Sequence, residues 1–165
     1  MSTARYIVSF VFLVLLQVLV LNNIAFSGYL NPYVYILFII LLPASTDRVY
    51  ELLIAFALGL SIDLFENSGG VHIAATVLLA FLRLPILKLS SQRQGQDFEE
   101  IRIEKLPLSN QLIYFSLTIL LHHFALFMIE SFSLSDIGTV LVRTLVSGLF
   151  TGVFIILVLL WRGRK

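Results

Sequence analysis

Apolar residues run almost unbroken from Tyr6 to Leu21, and the run stops at Asn22 and Asn23. Similar runs follow from Tyr33 to Leu42, Tyr50 to Phe65, Val71 to Leu89, Asn110 to Ile129 and Ile137 to Trp161. A helix that crosses a bilayer needs roughly 20 mostly apolar residues, about 17 at the short end. The runs are therefore read as an all-α, polytopic integral membrane bundle of six transmembrane helices in a single domain, 1–165. The second run is the short one. Bracketed by Pro32 and Pro43, it covers about 15 Å at helix rise, half of a ~30 Å hydrocarbon core. It either extends through Ala44, Ser45 and Thr46 or dips in and returns.

Composition agrees. Hydrophobic residues make up 59% of the 165 and charged residues 13%, against about 45–50% and about 25% in soluble domains. Net charge is +1, which offers no basic field for nucleic acid. Cysteine is absent, excluding disulfides, thiolate metal sites and cysteine nucleophiles. Charge placement sets an orientation. With six crossings and a cytoplasmic N-terminus, Arg5, Arg48, Arg83, Lys88, Arg93, Arg102, Lys105, Arg162, Arg164 and Lys165 all fall inside. The outer connections around 22–31, 66–70 and 131–136 hold no Lys or Arg. This is the positive-inside pattern, and Trp161 before Arg162 suits an aromatic anchor at the inner interface. Five crossings would place Arg5 outside. Ala25-Phe26-Ser27 loosely resembles a signal-peptide cleavage site, but the rest of the chain is equally apolar, so an uncleaved first span is the simpler reading. The polar stretch 90–109 is expected in the cytoplasm. Its mixed charges argue against a lipid-binding basic patch. It either packs against its own bundle or offers Phe98, Ile101, Ile103 and Leu106 to a partner.

Polar residues inside the runs mark the candidate sites. Glu51, Ala55, Gly59 and Asp63 are spaced by four and share one face of the third helix. Ala55 and Gly59 form a small-residue groove for another helix. Asp63 continues that face, and Gly69 and Gly70 beyond it allow a tight reversal. Asp63 is expected either to cap the following segment or to carry a charge toward a partner. In the fifth helix, Tyr114, Thr118, His122, Leu126 and Glu130 form a second stripe. His122 and His123 point about 100° apart, so they are read as interhelical and not as a chelating pair. The sixth helix carries Gly148 and Gly152 as GxxxG, with Arg143, Ser147 and Thr151 beside them. Arg143 within a membrane span needs an acid, and Asp63, Glu66, Glu130 and Asp136 are the choices on that side. Asp63 is the favoured one. No phosphate loop, metal signature or nucleophile elbow occurs, so neither catalysis nor a cofactor is expected.

The stretch NPYVYILFIILLPASTDRVYELLIAFALGLSIDLFENSGGVHIAATVLLAFL, residues 31–82, resembles the rod shape-determining protein MreD family. Pro32 and Pro43 around a short apolar segment, Gly59 and Asp63 as G-x-x-x-D, the glycine shortly after, and Ala74 and Ala75 carry the resemblance. Chain length and the WRGRK tail also fit. His72 in GGVH departs from the Leu-Gly form of the family. The resemblance covers roughly a third of the chain; the C-terminal half matches only in hydropathy. It implies a non-enzymatic scaffold of the bacterial cell-elongation complex in the cytoplasmic membrane. Its implied partners are MreC, RodA with a class B penicillin-binding protein, and MreB filaments. It also implies a six-helix fold similar to the substrate-binding components of energy-coupling-factor transporters. That similarity supplies the alternative, a vitamin or small-molecule uptake component. In either reading Ala55, Gly59, Asp63, Gly69, Gly70, Arg143, Gly148 and Gly152 are the expected packing or partner-binding residues.

Overall fold

A computed structural model describes residues 3–23, 31–91 and 103–162. The connection 24–30, most of the polar loop 90–109 and the last three residues of WRGRK lie outside the described residues. The helices are α1 (Thr3–Leu19), α2 (Leu37–Ile40), α3 (Arg48–Glu66), α4 (Val71–Ser91), α5 (Leu108–Ser131) and α6 (Ile137–Arg162). Short 3-10 turns at Leu21–Asn23, Val34–Ile36, Ile103–Lys105 and Leu134–Asp136 adjoin them. Among the described residues there is no strand, as expected. Four stretches are long and apolar enough to cross a membrane: Thr3–Asn23, Val71–Ser91, Leu108–Ser131 and Leu134–Leu157. The third helix has 19 residues but carries Arg48, Glu51, Asp63 and Glu66.

Local chemistry sets the helix ends. The Asp47 carboxylate accepts from the backbone N–H groups of Val49 and Tyr50 at 2.9 and 3.3 Å, capping α3. At the other end Asn67 turns left-handed with φ 54°, and Gly69 and Gly70 follow at φ 68° and 96°. That run of positive φ reverses the chain into α4 and suits glycine, which has no Cβ to clash. The α5 helix ends at Phe132, also left-handed with φ 48°.

The second apolar run is a buried plug. Tyr35, Ile36, Ile39 and Ile40 are fully inaccessible, and every residue from Tyr33 to Ile40 is buried. Its sequence is apolar all round because helices cover it all round. Around it α3, α4, α5 and α6 pack as successive neighbours, with α1 against α3 and the plug. Bonds at its two ends fix its direction. Tyr33 N–H donates to Thr151 of α6, while the Ile40 carbonyl accepts from the Tyr114 hydroxyl of α5 at 2.9 Å. The bundle thus has a Glu66 end, near Tyr33, and an Arg83 end, near Leu42.

Candidate functional site

The small face of α3 meets α4 backbone to backbone. A Cβ on Gly59 would lie 2.6 Å from the Ile73 Cα and 2.7 Å from the His72 carbonyl oxygen. Ala55 is fully buried, and its carbonyl accepts from the Thr76 hydroxyl at 3.0 Å. Asp63 closes the hairpin. Its Oδ1 accepts from His72 N–H at 3.0 Å and from the Ser68 hydroxyl at 2.5 Å, and its Oδ2 accepts from Ile73 N–H at 2.9 Å. These are the first N–H groups of α4, which have no partner inside the helix. Asp63 is therefore a cap, and the expected Asp63–Arg143 pair does not form.

Glu51, on the same face, belongs to the Arg83 end. Arg83 is fully buried and donates from Nε to the Glu51 carboxylate at 2.5 Å. Its other nitrogens donate to the carbonyls of Leu42 at 2.6 Å and Pro43 at 3.1 Å, where the plug ends. Arg48 reaches Glu51 at 3.4 Å, the Ala80 carbonyl at 2.8 Å and the Phe81 carbonyl. Phe81 precedes Pro85 by four residues. Proline has no N–H, so it leaves that carbonyl free within the helix, and Arg48 takes it. Arg83, counted from sequence among the inner-side cations although it falls within the fourth apolar run, is an internal clamp.

At the Glu66 end a second network runs inward. The Glu66 carboxylate accepts from the Asn22 side-chain amide and contacts His72 Nε2 at 2.9 Å. His72 Nδ1 lies 2.8 Å from the Tyr35 hydroxyl, which lies 2.9 Å from His122 Nε2. With Glu66 ionised and His72 neutral, each link fixes the next. The carboxylate can only accept, so His72 donates from Nε2 and accepts at Nδ1 from Tyr35. Tyr35 then accepts from His122 Nε2–H. This leaves His122 Nδ1 as a bare acceptor, and that nitrogen is buried with no partner. The neighbouring His123 is held separately: Nδ1 lies 2.8 Å from the Ile119 carbonyl and must donate to it, leaving Nε2 to accept from Thr151 at 3.0 Å. Tyr33 packs its ring against His72, His122, His123 and Phe127. Gln17 of α1 accepts from Val34 N–H at 2.9 Å and donates to the Pro32 carbonyl at 3.0 Å. The sequence reading misses the parts played by Gln17, Asn22, Tyr33 and Tyr35. Gln17 is the one amide in the first apolar run, and that is the available signal.

Arg143 pairs with Glu130. Its Nη2 lies 3.0 Å from the carboxylate, and its guanidinium carbon sits 4.2 Å from the centre of the Phe127 ring. Gly148 and Gly152 face α5 more loosely than Gly59 faces α4. A Cβ there would meet only Ile119 and Leu120 side chains, no nearer than 3.4 Å. Gly69 and Gly70 have nothing within 4 Å, so conformation and not space accounts for them. Among the described residues no three His, Asp or Glu side chains gather in a way that could hold a metal ion. The two end networks therefore do one thing in common: they spend polar groups on holding the plug and the α3–α4 hairpin in place. Comparison with family models, with curated proteins and with solved structures gives no match, so the geometry of this bundle is what a functional reading rests on.

Proposed function

We propose that this chain is a non-enzymatic membrane scaffold of the MreD type. It crosses the bacterial cytoplasmic membrane six times, with its Arg83 end in the cytoplasm. It maintains rod shape by binding MreC and coupling it to lateral peptidoglycan synthesis by RodA and a class B penicillin-binding protein, alongside MreB filaments. One observation carries the reading. Gly59 and Asp63, two of the residues that carry the resemblance, make a backbone-close helix contact and the cap of the hairpin that follows it. A motif that builds a rigid hairpin suits a protein whose task is to present surfaces. The chain path supports six passes, because the plug runs opposite to α1 and α3. Arg48, part-exposed, lies at the Arg83 end, while Arg143 at the other end is held by Glu130, which supports the orientation.

The test is copurification. MreC should be retained on tagged wild-type protein extracted from membranes and lost with Gly59→Ala. No retention of MreC by the wild type would sink the reading. A second reading, a small-molecule uptake component, has one observation in its favour. Asn31 Oδ1 and His122 Nδ1 are both buried without a hydrogen-bond partner at the Tyr33 end of the plug. Saturable thermal stabilisation by a vitamin, without MreC retention, would select it.

A further inference from the structure

Arg143 presents a half-used fork. Nε and Nη2 lie on one edge of a guanidinium and match the two oxygens of a carboxylate or phosphate. Glu130 meets that edge with a single oxygen on Nη2 at 3.0 Å. The other tooth, Nε–H, is buried and has no partner. The Glu130 side chain is 47% exposed and Arg143 is 21% exposed, so the acid is free to swing away. The guanidinium is not, because it is stacked on the Phe127 ring at 4.2 Å. The Phe127 ring is itself packed against Tyr33, 6.2 Å between ring centres. Arg143 lies about 9 Å along α6 from its first residue by helix rise. Arg143 thus lies in the first half of the apolar stretch Leu134–Leu157, toward the end where Glu130 lies.

We propose that the Arg143 edge is a binding site for a phosphate oxyanion, which takes Nε and Nη2 together and displaces Glu130. Glu130 is then a tethered competitor that keeps the fork occupied until a phosphate arrives. The site is independent of the scaffold reading, since neither Gly59 nor Asp63 takes part. The phosphate belongs either to a lipid headgroup or to a free anion, and the two are separable.

The experiment follows the Arg143 Nε–Hε resonance of 15N-arginine-labelled full-length protein in maltoside micelles, which contain no phosphate. One arm adds inorganic phosphate and the other dopes the micelles with phosphatidate. A saturable shift in the phosphatidate arm alone assigns a lipid headgroup; a shift with inorganic phosphate assigns a free oxyanion. Glu130→Gln, a change at a half-exposed position, should tighten binding about tenfold by removing the tethered competitor. Arg143→Lys keeps the charge and loses the fork, and should weaken binding about tenfold as read by phosphorus line broadening. An Nε–Hε resonance unmoved in both arms would overturn the proposal. So would binding unchanged in Glu130→Gln, because the fork would then not be what the phosphate occupies.

Discussion

Asp63 takes three hydrogen bonds on two carboxylate oxygens. An asparagine at this position would keep an acceptor for His72 and Ser68 but turn an N–H toward that of Ile73. We expect Asp63→Asn to cost about 1–3 kcal/mol, the usual penalty for an unmatched buried donor, measured as a lower unfolding midpoint in detergent. Because Asp63 and Arg143 share no partner in this structure, the losses in Asp63→Asn and Arg143→Gln should add in the double mutant. A coupling well above about 0.5 kcal/mol would restore the direct pair. The glycines divide in the same way. Gly59→Ala forces a Cβ against backbone atoms that cannot turn aside and should cost about 1–3 kcal/mol. Gly148→Ala meets only side chains at ordinary contact distance and should be near neutral. Equal losses at both positions would contradict this packing. The histidines give a spectroscopic check, since the chain has only three. Nitrogen shifts should show His72 and His122 protonated at Nε2 and His123 at Nδ1. Tyr35→Phe should cost about 1–3 kcal/mol, because it strands one donor and one acceptor at once.

At the scale of elements, the plug and the α3–α4 hairpin depend on each other through Arg83. The clamp joins Glu51 of α3 to the two carbonyls that end the plug. Arg83→Met should therefore be among the most damaging single changes, about 3–5 kcal/mol, because it strands a buried carboxylate. Adding Glu51→Leu should recover part of the loss, since removing both charges leaves only the carbonyls unpaired. Unfolding midpoints of the two variants check the order. A double mutant weaker than Arg83→Met would show that Glu51 is held mainly by Arg48. Arg48, the second cation on Glu51, explains why Pro85 is tolerated within α4. The carbonyl it frees is bonded to Arg48, so the helix continues to Ser91.

For the whole molecule, the cysteine-free chain allows a direct topology test. Ser133→Cys lies in the α5–α6 turn and Ser45→Cys between the plug and α3, both partly or fully exposed. We expect a membrane-impermeant thiol reagent to label Ser133→Cys in intact cells and Ser45→Cys only after permeabilisation. The reverse order would invert the bundle. Both labelling from outside would break the six-pass path.

The helices were legible because membrane-length apolar runs and the turn residues between them are local properties of the chain. Thr3–Leu19, Arg48–Glu66, Val71–Ser91, Leu108–Ser131 and Ile137–Arg162 each contain or closely match a run visible in the sequence. The face of α3 was legible too, since spacing by four places Glu51, Ala55, Gly59 and Asp63 together on any helix. Partners were not. Arg143 had four acids to choose from, and its choice of Glu130 depends on how α5 and α6 face each other across the Ser131–Asp136 turn. Arg83 was counted with the inner-side cations and its pairing was not legible, because its distance from Glu51 along the chain says nothing about their contact in space. The plug looked like a defective span because sequence records length but not enclosure. The sequence by itself determined where helices form and which faces are polar. Only the tertiary structure decided which polar groups meet, because a buried charge settles on whichever partner the packing of other helices brings within hydrogen-bonding distance.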